Sequence, residues 1–178
     1  DFRPLPPLPD AEAALQEGAA LVHEQLGRNM AAYLHTKKGE GAAALETALH
    51  RLSRRFVHHR YAAMPLECRG VVADYDSRTE TLTIWSSTQV VHWVRREVAT
   101  ALGMPEENVR CIAPDVGGGF GGKGHVYPED ILIAYLARRL GRPVKWVEDR
   151  HEHILNAAHS RDNVHDVEIG FDDDGRIL

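Results

Sequence analysis

The run Asp115-Val116-Gly117-Gly118-Gly119-Phe120-Gly121-Gly122-Lys123-Gly124 constrains this chain more than any other stretch. Five glycines in the six positions 117–122 remove nearly every Cβ, so backbone can turn through positive φ and lie close to a ligand. Amide N–H groups freed in such a loop can converge on an anion or an oxygen-rich group. Each glycine also costs ordering entropy, so a bare connection accounts poorly for five of them. The loop is therefore the first candidate for a binding site.

Periodicity places this loop inside a mixed α/β chain. Pro4, Pro6, Pro7 and Pro9 keep the opening extended, because proline fixes φ and disfavours helix in the residue before it. Asp10 stands where an N-cap belongs, ahead of the helix formers Ala11 to Glu17, and Gly39 and Gly41 break the chain before a second short helix over Ala42 to Leu49. Residues 1–50 thus form an irregular, helical lead-in, and residues 51–178 the main α/β region. In the latter, Arg54 to Ala62, Cys68 to Tyr75 and Thr79 to Ser86 read as strands. Val90, Val91, Val94, Val98, Ala101 and Leu102 fall at helical steps, so Gln89 to Leu102 reads as an amphipathic helix closed by Gly103. A short strand, Val109 to Ala113, precedes the glycine loop. A helix over Glu129 to Leu140 and strands over Val144 to Val147 and Val164 to Phe171 follow it. This order predicts an α/β (mixed α+β) fold of mixed sheets with packed helices, not a doubly wound parallel sheet. The tail through Asp174-Gly175 reads as a strand, a turn and the first residues of a partner strand, which predicts a piece of a longer polypeptide.

Composition removes several function classes. A net charge of −5 with interleaved signs lacks the basic stripe a nucleic-acid binder needs. No apolar run approaches the ~20 residues of a membrane span. Cys68 and Cys111 are the only cysteines, too far apart for a zinc knuckle or a disulfide scaffold, which predicts a reducing, cytoplasmic setting. His58-His59 and His151-Glu152-His153 offer imidazoles without an evident third and fourth ligand, so a structural or solvated role is expected and no metal ligand is assigned.

Two phosphate motifs match the loop in outline. Gly117 to Lys123 fits a P-loop except that Gly124 stands where Ser or Thr must hold magnesium. Gly117, Gly119 and Gly122 fit dinucleotide spacing, but Gly124, His125 and Pro128 delay the helix that should begin inside the motif. A nucleotide-binding module built on Gly117–Gly122 stays as an alternative, as does a non-catalytic scaffold.

Several segments in order resemble the molybdenum hydroxylase family of xanthine dehydrogenase, aldehyde oxidase and carbon monoxide dehydrogenase large subunits. They are Pro65-Leu66-Glu67-Cys68-Arg69-Gly70, with Cys68 where the family usually has proline, then Trp85-Ser86-Ser87-Thr88-Gln89 and Val116 to Lys123. Pro143 to Arg150 and the opening Arg3-Pro4-Leu5-Pro6 with Asp10 to Leu15 add to the likeness. The resemblance implies the first molybdopterin-binding domain of such a subunit. It further implies that Gln89 aims its amide at an oxo ligand of molybdenum, and that Gly118, Gly119, Phe120 and Gly121 line metal and pterin. Phe120 would also form a wall of the substrate pocket.

The same resemblance implies molybdopterin, in its cytosine dinucleotide form, with iron–sulfur clusters and FAD on partner subunits or domains. It implies hydroxylation of an aldehyde, an N-heterocycle or carbon monoxide with water-derived oxygen. The family's general base lies outside this chain, so no catalytic residue is assigned, and Glu67, Glu129 and Glu148 are not given that role. Gly124 stands where purine-oxidising members usually carry glutamate, which argues against xanthine. Glu148 and Asp149 beside Arg150 read as a surface or interdomain ion-pair cluster.

Overall fold

The computed structural model describes Pro4 and residues 6–178; Arg3 and Leu5 of the opening motif lie outside the described residues. In chain order the elements are α1 (Ala11–Ala14), α2 (Gly41–Thr47), β1 (His50–Ala62), β2 (Gly70–Asp76), β3 (Thr81–Ser86) and α3 (Val91–Leu102). They continue with β4 (Val109–Ile112), α4 (Pro128–Leu140), β5 (Val144–Val147), α5 (Arg150–Asn156) and β6 (His159–Phe171). Short 3₁₀ turns cover Glu24–Leu26 and Glu106–Asn108. The chain divides into two compact units, one of residues 1–60 with 161–178 and one of residues 61–160.

In the first unit β1 pairs with β6 in a two-stranded sheet. Both strands are longer than the apolar pattern predicts, because their outer residues are charged. Arg51 reaches Glu168 at 2.7 Å and Arg60 reaches Asp162 at 2.7 Å, exposed pairs of small individual worth. Helix α1 begins where expected, with Asp10 Oδ1 accepting from Ala13 N at 2.7 Å, but stops at Ala14 rather than Glu17. The terminal turn forms around Asp172, whose Oδ1 accepts from Asp174 N and Arg176 N, and Phe171 bridges Ile177.

The second unit is a four-stranded mixed sheet in the order β4-β3-β2-β5. β2 runs antiparallel to β3 and β5, and β3 runs parallel to β4. Alternation does what a half-buried sheet requires: Val71 and Ala73 on β2, and Leu82 and Ile84 on β3, point to one buried face. Helices α3 and α4 cover that face with Val94, Val98 and Ala99 and with Ile133, Ala134 and Ala137. Both helices end on a left-handed glycine, Gly103 and Gly141.

One sequence expectation is corrected here. Glu148 is not a surface charge: it is buried against Arg69. His151-Glu152-His153 lies on helix α5. Asp149 caps that helix by accepting from Glu152 N, and Glu152 returns the bond to Asp149 N.

Candidate functional site

The glycine loop connects β4 to α4, and Ser87-Thr88-Gln89 connects β3 to α3, so both segments leave neighbouring parallel strands and meet. Gln89 is the centre of that meeting. Its backbone N–H donates to Lys123 O at 2.9 Å, and its side-chain Oε1 accepts from Gly121 N at 3.2 Å and Lys123 N at 3.3 Å. Two N–H donors on one amide oxygen fix which way the amide faces. Nε2 then points its hydrogens away from the loop, and it has no acceptor among the described residues.

The loop's shape follows from this packing. A Cβ on Gly119 would sit 2.5 Å from Gln89 Oε1, and one on Gly117 would sit 2.6 Å from Glu67 Cβ. Neither position accepts a larger residue without displacing its neighbour. Phe120 has φ 50°, a left-handed conformation rare for an aromatic residue, and its ring is 77% exposed over Gly118. Backbone strain of this kind persists only where the surrounding structure holds it. The N–H groups of Gly119 and Phe120 have no acceptor among the described residues, whereas those of Gly117, Gly118, Gly121, Gly122 and Lys123 do.

Glu67 braces the loop from beneath. A single oxygen, Oε2, accepts from Lys123 Nζ at 2.5 Å, Ser87 Oγ at 2.6 Å and Gly117 N at 3.0 Å. Partial burial works to raise the Glu67 carboxyl, but the Lys123, Ser87 and Gly117 hydrogen bonds outweigh it and hold it below the ordinary carboxylate range. Lys123 itself is 1% exposed.

A second polar cluster fixes the frame. Buried Arg69 donates to Glu148 Oε1 through Nε (2.9 Å) and Nη2 (2.6 Å), reaches Glu129 at 3.1 Å, and lies 3.6 Å from the Tyr127 ring centroid. Tyr127 in turn donates to Gly122 O and accepts from Ala158 N. Asp130 locks the start of α4 by accepting from Ser86 Oγ and Tyr127 N, although burial raises its carboxyl above the usual range. His153 is buried between Glu148 Oε2 and Ala63 O.

The comparisons fit this geometry. The profile of the molybdopterin cofactor-binding domain matches residues 22–178. The chain belongs to that family. It is 40% identical to the 6-hydroxypseudooxynicotine dehydrogenase complex subunit gamma of Paenarthrobacter nicotinovorans, over 100% of this chain and 22% of that protein. It is 34% identical to the carbon monoxide dehydrogenase large chain of Afipia carboxidovorans, over 100% of this chain and 24% of that one. Among solved structures, quinoline 2-oxidoreductase from Pseudomonas putida 86 superposes with a TM-score of 0.86 at 38% identity, covering 100% of this chain and 22% of its own. The molybdopterin cofactor-binding domain described here therefore spans about a quarter or less of the length of these relatives.

Within this molybdopterin cofactor-binding domain, the sequence-predicted residues come together in part directly. Gln89 contacts Gly119 and Gly121, and the Phe120 ring covers Gly118. The donor set suits an oxygen-rich group: an amide NH₂ and two backbone N–H groups without acceptors among the described residues, beside a surface with few Cβ atoms. Sequence reasoning missed the pairing of Glu67 with Lys123. Its signal was present, since each is the one charged side chain between the prolines, glycines and apolar residues of its own stretch, Pro65 to Cys68 and Val116 to Gly124. The P-loop alternative loses its lysine, because Lys123 Nζ is enclosed and bound to a carboxylate rather than open to phosphate.

The structure also gathers Cys68, Glu148 and His153, whose ligand atoms lie within 4.8 Å of one another. The oxygens of Glu148 and both ring nitrogens of His153 already have protein partners. His58 and His59 are exposed on β1, with the His58 ring 5.3 Å from that of His165.

Proposed function

We propose that this domain holds molybdopterin in the large subunit of a molybdenum hydroxylase, with Gln89, Gly118, Gly119, Phe120 and Gly121 as its contact residues. The observation that carries the reading is the fixed Gln89 amide, whose Nε2, like the N–H groups of Gly119 and Phe120 beside it, has no acceptor among the described residues. The match of residues 22–178 to the molybdopterin cofactor-binding domain supports it.

Held by these residues, the cofactor would supply the chemistry of a two-electron oxidation in which the incoming oxygen derives from water. The chain's own residues position and exclude. Gln89 offers a neutral donor, which can orient an oxygen ligand without competing for the metal. Gly118, Gly119 and Gly121 allow backbone approach that a side chain would block. The exposed Phe120 ring supplies an apolar wall that limits water. Glu67 and Glu148 do not serve as general base, because one is bound to Lys123 and the other to Arg69.

The substrate class we favour is a nitrogen heterocycle, since two of the three relatives named above are a 6-hydroxypseudooxynicotine dehydrogenase subunit and a quinoline 2-oxidoreductase; an aldehyde or carbon monoxide follows. The cytosine dinucleotide form of the cofactor, iron–sulfur and flavin partner subunits and a cytoplasmic setting complete the proposal. Among the described residues no helix is long and apolar enough to cross a membrane. The test is molybdenum and pterin analysis of the full-length large subunit coexpressed with its partners. About one molybdenum per subunit, falling in Gln89→Ala and Phe120→Ala, is the expected result. A folded, metal-free and pterin-free subunit from a host that makes the cofactor would overturn the proposal.

A further inference from the structure

We propose that Glu67 and Lys123 form a latch that sets the orientation of the Gln89 amide, which makes both of them positioning residues for the donor set of the loop. This inference rests on the molybdopterin reading of the site. An enclosed ammonium group needs a charged partner, and Lys123 Nζ has Glu67 Oε2 at 2.5 Å. The same oxygen accepts from Gly117 N, so one carboxylate atom ties together residues 117 and 123, the two ends of the glycine loop.

Lys123 transmits that constraint to Gln89. Its N–H donates to Gln89 Oε1, while its carbonyl accepts from Gln89 N and from Thr88 Oγ1. The bonds on Oε1 are long, at 3.2 and 3.3 Å, and therefore soft; their geometry depends on where the Lys123 backbone is held. If Lys123 moves, the amide can rotate and present its oxygen outward in place of its NH₂. A loop whose five glycines impose little stiffness of their own needs such an external brace.

The experiment compares Glu67→Gln, Gln89→Ala and the double variant in the full-length large subunit assembled with its partners. Hydrogen–deuterium exchange over residues 115–124 is read alongside molybdenum content. In Glu67→Gln, loop exchange rises about tenfold, the worth of a lost charged hydrogen bond, with peptides of β2 and β3 unchanged. Molybdenum content falls, and the double variant retains no less than Gln89→Ala alone, because both changes act through one amide. Ser87→Ala keeps both charges and removes one donor from Oε2, so it gives the same pattern at smaller amplitude even if Glu67→Gln fails to fold. Unchanged loop exchange, or losses that add in the double variant, would overturn the latch. Wild-type subunit without molybdenum would instead sink the site assignment and with it the cofactor role of the latch, while the exchange data would still report whether Glu67 braces the loop.

Discussion

Gly119 and Gln89 occupy a single space: the Cβ that any other residue would carry at position 119 lies 2.5 Å from the amide oxygen of Gln89. Gly119→Ala therefore cannot keep the amide where it is, whereas a Cβ on Gly121 meets no atom within 4 Å and suffers only from its φ of +87°. We expect Gly119→Ala to lower molybdenum content of the full-length subunit several-fold. Gly121→Ala should cost about 1–2 kcal/mol of backbone strain with Gln89 undisturbed. Both positions contact the cofactor in the proposed site, so amide exchange at Lys123, whose N–H donates to Gln89 Oε1, separates the two. Protection lost in Gly119→Ala and kept in Gly121→Ala is expected, and equal loss in both would contradict the steric account.

The Glu67 brace carries a pH signature. Its carboxyl is held below its unfolded value, so the stabilisation is present above that value and is lost as pH falls through the lower, folded one. Urea midpoints of wild type and Glu67→Gln, measured from pH 7 down to pH 3, should converge at the acid end. A gap that stays constant would mean that Glu67 contributes no charge-dependent stability.

Arg69 presents the opposite extreme from the exposed pairs of the two-stranded sheet. Arg69→Met leaves the buried Glu148 and the partly buried Glu129 without their guanidinium, and the expected loss is ~3–5 kcal/mol. Arg51→Ala, which removes an exposed pair with Glu168, should cost under ~1 kcal/mol. Chemical denaturation distinguishes them, and similar losses would refute the contrast.

Cys111 should be a poor nucleophile. Burial, with a smaller contribution from the Asp130 carboxylate, pushes its thiol up to about 12. At pH 8 its alkylation should be at least on the order of a hundredfold slower in the folded chain than after denaturation. Mass-spectrometric timing of labelling tests this, and equal rates would show that the thiol is not desolvated.

What the sequence could determine was whatever local chemistry fixes. The alternation of Leu82 and Ile84, the helical spacing of Val94 and Val98, and the closing glycines Gly103 and Gly141 specify β3, α3 and the end of α4 within a few residues. The glycine run marked the loop, because no common structural need explains so many residues without Cβ in so short a span. The order of the motifs then pointed to the family. What lay beyond the sequence was everything set by residues far apart in the chain. Glu148 reads as surface charge until Arg69, 79 positions away, is found donating to it in the interior. Lys123 leaves a phosphate-binding alternative open until Glu67, 56 positions away, is found holding it. Hydrophobic pattern reports burial of apolar side chains, but a charge can be buried only beside its partner, and which partner that is depends on the sheet order that brings distant strands together.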